Sequence, residues 1–225
     1  MMYYSASMNT LDESLMNAVK EGKLLESSRT NIRLLLDGTE SPIAREAVEE
    51  LAAAGEWQEL NDRFYKTLAF GTGGLRGRTI GSIVTRAEQG NGGVNGRPEY
   101  PCVGTACMNY FNVGRAMRGL IIYVNKHVVA TDPGRKPRLV IGHDTRHFSR
   151  DFAEFCAKIG TDLGCDIYLF DSPRATPEIS FAIRELHADS GVVLTASHNP
   201  SHDNGFKAYF NDGAQLVPPH DKAVI

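Results

Sequence analysis

Apolar residues recur at helical spacing through the first seventy positions, and from residue 138 onward helical stripes alternate with short, Val/Ile-rich runs. Leu11, Leu15 and Val19 follow a T-x-x-E box at Thr10–Glu13, which predicts a helix beginning there after nine disordered residues. Ser41-Pro42 supplies an N-cap with proline at the first helical position, and Ile43, Ala47 and Leu51 repeat until Gly55 stops the run. Trp57, Leu60, Phe64 and Leu68 line one face of the next helix. Residues 1–69 thus form an all-helical lead-in, expected to pack on a sheet built by the rest of the chain. Further on, Val113, Met117, Leu120, Ile121, Val124 and Val128 make the stripe of a long helix that ends at Asp132-Pro133-Gly134.

From Arg138 the pattern becomes strand (to Asp144), helix (Phe152, Phe155, Cys156, Ile159, Leu163) and strand (Asp166 to Phe170). A helix capped at Thr176-Pro177, with Ile179, Ala182, Ile183 and Leu186, then leads to a strand from Gly191 to Leu194. Alternation of this kind predicts a three-layer α/β/α domain over residues 70–225, with a mixed, mostly parallel sheet. A short turn separates the Gly191 strand from Phe206–Phe210, so that last strand is expected to pair antiparallel. Pro218 to Lys222 announce another helix just before the sequence stops at Ile225, so the domain reads as cut at its C-terminus.

Composition narrows the function classes. At 225 residues and 42% hydrophobic the chain can bury a sizeable core, and a formal charge of −3 with mixed signs gives no basic field for nucleic acid or an anionic membrane. Its densest apolar run, Leu120 to Val124, is too short to span a bilayer, so a cytoplasmic protein without a membrane partner is expected. Cys102, Cys107, Cys156 and Cys165 show no C-x-x-C spacing and are expected to be free structural thiols. The H-x-x-x-H pairs His143/His147 and His198/His202 would bind metal only on helices, and they fall in strand-end loops.

Two stretches stand out from this background. Gly71-Thr72-Gly73-Gly74-Leu75-Arg76-Gly77 breaks all periodicity, and four glycines in seven positions let a backbone present N–H groups to an anion beside the Arg76 fork. Thr195-Ala196-Ser197-His198-Asn199-Pro200 follows the end of an apolar strand, where open α/β sheets collect their ligands. Ser197 is the candidate nucleophile and His198 a neighbour that either helps a proton move or orders its own loop. Arg146, at the end of the Arg138 strand, is a candidate phosphate fork.

The T-A-S-H-N-P block with Asn204-Gly205-Phe206-Lys207, the glycine stretch and Ile141-Gly142-His143-Asp144-Thr145-Arg146 together resemble the α-D-phosphohexomutase family, from about Phe70 onward. The resemblance implies a phosphosugar mutase whose serine, here Ser197, is phosphorylated at rest and exchanges phosphate with a hexose phosphate through a bisphosphate. Lys207 would be the general acid/base, which requires its pKa to be lowered by burial beside another cation. Arg76, Arg146 and Asn199 would hold phosphate, and Mg2+ would contact this chain through the Ser197 phosphate. The family's D-G-D-x-D-R magnesium loop, its Glu-rich sugar loop and its R-x-S-G-T phosphate loop are not in this sequence, so this chain corresponds to the N-terminal domain and is expected to be inactive by itself. Arg86 to Gly96 is a mobile polar excursion by composition, with Gly104 to Asn109 rejoining the ordered fold, and Arg86 to Asn109 resembles only a branch with phosphoglucomutase/phosphomannomutase-like and phosphopentomutase-like members. Sugar-bisphosphate synthesis, a non-catalytic phosphate-binding module and a Ser197-His198 hydrolase are the other readings, the last disfavoured by the missing G-x-S-x-G elbow.

Overall fold

A computed structural model describes residues 3–71, 73–217, 220 and 224; Thr72 and most of the helix expected at Pro218–Lys222 lie outside the described residues. The chain packs into two compact units, residues 1–68 with 80–107, and residues 69–79 with 108–225.

The first unit contains helices α1 (Tyr3–Lys20), α2 (Glu26–Asp37), α3 (Pro42–Ala53), α4 (Trp57–Phe64) and the one-turn α5 (Arg86–Gln89). Helix α1 starts seven residues before the Thr10 box, because no Gly or Pro in Tyr3–Asn9 interrupts it, and Leu11 and Leu15 are buried. Helix α3 has Pro42 at its start, as expected, and Gly55 follows its end at φ +74°. Helix α4 stops at Phe64, one turn earlier than its stripe suggests, and Leu68 is instead buried with its N–H on the Thr105 carbonyl. Helix α2, which is not among the expected elements, buries Ser28, Ile32 and Leu35.

At the centre of this unit sits Arg63, with a side chain only 1% exposed. Its Nε donates to Glu59 Oε1 at 2.8 Å, its Nη1 to Glu88 Oε1 at 2.6 Å, and its Nη2 to the Ile83 carbonyl. Burial opposes the charge, but Cys102, Glu88 and Cys107 outweigh it and hold the guanidinium pKa above its ordinary value. Glu88 also closes a capping box with Thr85 and accepts the Val103 N–H at 2.7 Å. The polar stretch after Thr85, expected to be a mobile excursion, is thus pinned at its start by a buried carboxylate. All four cysteines are free and buried, and the Cys102 and Cys107 sulfurs are 3.3 Å apart.

The second unit is built on a five-stranded sheet in the order β1-β5-β4-β2-β3, from β1 (Gly74–Arg78), β2 (Arg138–His143), β3 (Asp166–Leu169), β4 (Ser190–Leu194) and β5 (Asp203–Phe210). Strands β3, β2 and β4 are parallel, and β5 and β1 extend the sheet antiparallel. Helix α7 (Ser149–Asp162) connects β2 to β3, and α8 (Thr176–Glu185) connects β3 to β4 on the other side of β2. Right-handed crossovers in opposite directions place α7 and α8 on opposite faces. Two glycines mark this packing: a Cβ on Gly160 of α7 would meet Ile167, and one on Gly142 of β2 would meet Ile179 of α8. Helix α6 (Tyr110–Thr131), capped by the Asn109 side chain, packs beside α7 with all six residues of its expected stripe buried. Among the described residues no helix is long and apolar enough to cross a membrane.

Two outcomes follow from these ion pairs. Arg63→Ala leaves the Glu59 and Glu88 carboxylates buried without their cation and should cost about 3–5 kcal/mol in denaturant unfolding, whereas a loss below about 1 kcal/mol would mean that water reaches the cluster. In the second unit Asp189 accepts a two-pronged bond from Arg135 (2.7 and 2.9 Å) and the Arg138 N–H. Burial raises its pKa, but these bonds and the nearby cations more than offset it, so the folded value lies below the ordinary one. A depressed carboxylate stabilises above its unfolded pKa, and that contribution is lost as pH falls through the folded pKa. The stability gap between the wild type and Asp189→Asn should therefore be constant above about pH 5 and shrink below about pH 4, which urea midpoints across that range will test.

Candidate active site

The sheet topology brings the separated motifs to one end of the second unit. Leu194, the last residue of β4, pairs with both His143 at the end of β2 and Phe206 in β5, so the loops after β2 and β4 leave the same sheet edge. Asp144 N–H donates to the Leu194 carbonyl, which ties the two departures together.

Ser197 lies in the loop after β4 and is exposed, at φ +57°, a left-handed conformation that non-glycine residues adopt at a cost. Its own N–H is bound by Thr195 Oγ1 at 2.9 Å, and the Asn199 N–H closes onto the Ala196 carbonyl. The turn thus presents the hydroxyl outward. His198, also exposed, has Nδ1 3.5 Å from Ser197 Oγ, at the long limit of a hydrogen bond.

Arg146 reaches this loop from the β2 side with a side chain 12% exposed. Its Nη1 donates to the carbonyls of Pro200 (2.6 Å) and Asp203 (3.2 Å), and its Nη2 to those of Ser197 (2.7 Å) and Asn199. Nε faces Asp144 Oδ2 at 3.4 Å, and Asp144 Oδ1 accepts both the Arg146 N–H and the Ser149 hydroxyl. Ser149 in turn accepts from Asn204, which also donates to the His147 carbonyl. Asp144, Ser149 and Asn204 therefore hold the arginine in place, a set of roles that spacing along the sequence does not reveal.

The glycine stretch is not an open anion loop. Gly71 and Gly74 exchange both N–H···O bonds, Gly73 turns the chain at φ +71°, and residues 74–78 run as edge strand β1 against β5. As an edge strand β1 turns alternate amides to β5, and Gly74 serves close approach: a Cβ there would lie 2.1 Å from the Phe206 carbonyl. Strand β1 delivers Arg76 to the surface, where Nη1 bonds the Asn199 side chain at 3.0 Å and Asn199 bonds Asp203 at 2.8 Å. Lys207 sits half-buried in β5 opposite Gly74 and Val193, and its side chain makes no hydrogen bond or ion pair among the described residues. Ser197, His198, Asn199, Arg76 and Arg146 are thus brought together, with Lys207 one register step beyond the Leu194–Phe206 pair.

His143 is buried at the end of β2, with Nδ1 against the Asp144 carbonyl, and His147 lies in the turn before α7. Neither H-x-x-x-H pair is on a helix. Among the described residues no group of three or more His, Cys, Asp or Glu could hold a metal ion. The donors around Ser197 are cations and amides, which suit phosphate and do not fit Mg2+ without carboxylates from elsewhere.

Comparison with known proteins agrees with this architecture. The family model for "Phosphoglucomutase/phosphomannomutase, alpha/beta/alpha domain I" matches residues 86–225. A phosphoglucomutase of Staphylococcus epidermidis is 37% identical over 71% of this chain and 24% of its own length. A phosphoribomutase of Saccharomyces cerevisiae is 32% identical over 82% of this chain and 26% of its own. A crystal structure named for a phosphomannomutase from Thermus thermophilus superposes with a TM-score of 0.50 at 26% identity, covering 71% of this chain and 29% of that one. The chain spans about a quarter of the length of the curated relatives it matches. With the motifs, the sheet order and these matches in agreement, the chain belongs to the phosphoglucomutase/phosphomannomutase family and corresponds to its α/β/α domain I.

Proposed function

We propose that this chain provides the phosphoryl-carrying part of a phosphosugar mutase that acts on a hexose phosphate, with Ser197 as the carrier. The observation that supports this most is the Ser197 turn itself: an exposed hydroxyl at a costly positive φ, in the loop after a parallel strand, where Arg146 bonds the loop carbonyls and Arg76 the Asn199 side chain. In the reaction the phosphoryl group leaves Ser197 Oγ for a sugar hydroxyl, whose proton passes to Lys207. The resulting bisphosphate turns over and returns its other phosphoryl to Oγ, while Lys207 gives the proton back. A phosphoserine carries between one and two negative charges, and Arg76, which among the described residues is bonded through Nη1 to the Asn199 side chain, is the cation proposed to meet it. Asn199 keeps the Arg76 fork in reach, and His198 lies close enough to bond a phosphate oxygen. Catalysis of this kind rests on positioning and charge neutralisation. Mg2+ enters the proposal only through an oxygen of the Ser197 phosphate, and no step here depends on it.

A pentose phosphate is the second reading, favoured by the name of the yeast relative, which aligns over more of this chain than the staphylococcal phosphoglucomutase does. Sugar-bisphosphate synthesis would use the same serine. A cytoplasmic location is part of the same proposal.

Protein isolated from the cells that make it should be partly phosphorylated at Ser197, as read by peptide mapping; phosphate only at other serines, together with full mutase activity of Ser197→Ala, would reject the carrier assignment. The 225-residue chain alone, given Mg2+, glucose 1-phosphate and a bisphosphate primer, should form no glucose 6-phosphate in a coupled assay. Clear turnover would mean that these residues complete the site by themselves.

A further inference from the structure

We infer that Arg146 is a positioning residue that shapes the Ser197 loop through its carbonyls and so turns the His198 peptide N–H toward the phosphoryl group, instead of binding phosphate itself. This rests on Ser197 as the phosphate carrier and adds the means by which its loop is held ready.

A guanidinium has five N–H groups and no acceptor. In Arg146 the four terminal N–H groups each have a carbonyl in the loop, those of Ser197, Asn199, Pro200 and Asp203, while Nε faces Asp144. A phosphate could bind this fork only by breaking contacts that hold the loop together. Arg76, by contrast, is exposed and uses one Nη on a side-chain amide.

The inward carbonyls have a consequence for the outward face. A trans peptide is planar with its N–H opposite its C=O, so the Ser197 carbonyl on Arg146 turns the His198 N–H away from the arginine. His198 is exposed, and its N–H donates to no protein acceptor among the described residues. The Ser197 N–H is already bound to Thr195, whereas the His198 N–H, in the next peptide, has no protein acceptor among the described residues. A peptide whose carbonyl touches a cation is also polarised, so its N–H becomes a stronger donor. The positive φ of Ser197 is what lets one residue send its carbonyl inward and its side chain outward.

The test compares this chain with and without phosphoserine installed at position 197 by genetic encoding, observing the backbone amides and arginine side chains by 15N NMR. The His198 amide proton should move downfield on phosphorylation while the Arg146 Nη resonances stay in place. Movement of the Arg146 Nη signals, or a His198 amide that does not move, overturns the inference. In Arg146→Lys, which keeps the charge but cannot span four carbonyls, the His198 shift should be lost and exchange across residues 195–203 should quicken. A shift that persists undiminished in that variant also overturns it. If the variant does not fold, the wild-type comparison decides alone. Because the phosphoserine is genetically encoded, the outcome does not depend on whether cells phosphorylate Ser197, so failure of the mutase reading remains distinguishable.

Discussion

The loop from Thr195 to Pro200 has no regular secondary structure to hold it, and its shape depends on one nearly buried guanidinium. Carbonyl oxygens converging on one point would repel each other and remain costly without a donor. Arg146 removes that cost for four of them at once and is itself anchored to Asp144, which Ser149 also reaches. A lysine could not satisfy that geometry, since its three donors radiate from a single atom. The strained Ser197 backbone persists because contacts on both sides over-determine it: Thr195 Oγ1 binds its N–H and Arg146 its carbonyl.

The same physics appears in the first unit, with a different product. Arg63 gathers two carboxylates and the Ile83 carbonyl, and so fastens residues that carry no long element of their own to helix α4. In both places an arginine stands in for secondary structure, its terminal donors matched to fixed acceptors 20 to 57 residues along the chain. Arg146 differs in what it leaves exposed. The contacts of Arg63 close inward, whereas those of Arg146 leave the Ser197 hydroxyl exposed and, among the described residues, the His198 N–H without a protein acceptor.

The sheet makes this arrangement possible by its strand order. With β4 between β2 and β5, the residues after β2 and the residues before β5 both border the loop that follows β4. Strand β1, added at the edge through glycines that let it lie close to β5, carries Arg76 to Asn199. An ordinary side chain at Gly74 would meet the Phe206 carbonyl, so this glycine answers to backbone packing before it answers to any ligand.

What the sequence determined by itself was what repeats locally. Each buried position of α6, the proline start of α3 and the β-α-β alternation after Arg138 follow from 3.6-residue and short-run periodicity, because one face of each element must be apolar. The candidate nucleophile and its neighbours were legible as motifs carrying the family resemblance. Decided only by tertiary structure were the pairings between residues far apart. Whether the glycine stretch is a loop or a strand depends on β5, some 130 positions away, and Glu88 reads as a surface residue until Arg63 buries it. Arg146 reads as a phosphate fork from the sequence because its type and position at a strand end permit that role. Its four carbonyl acceptors lie 51 to 57 residues further along, and no local pattern records that a guanidinium will meet them.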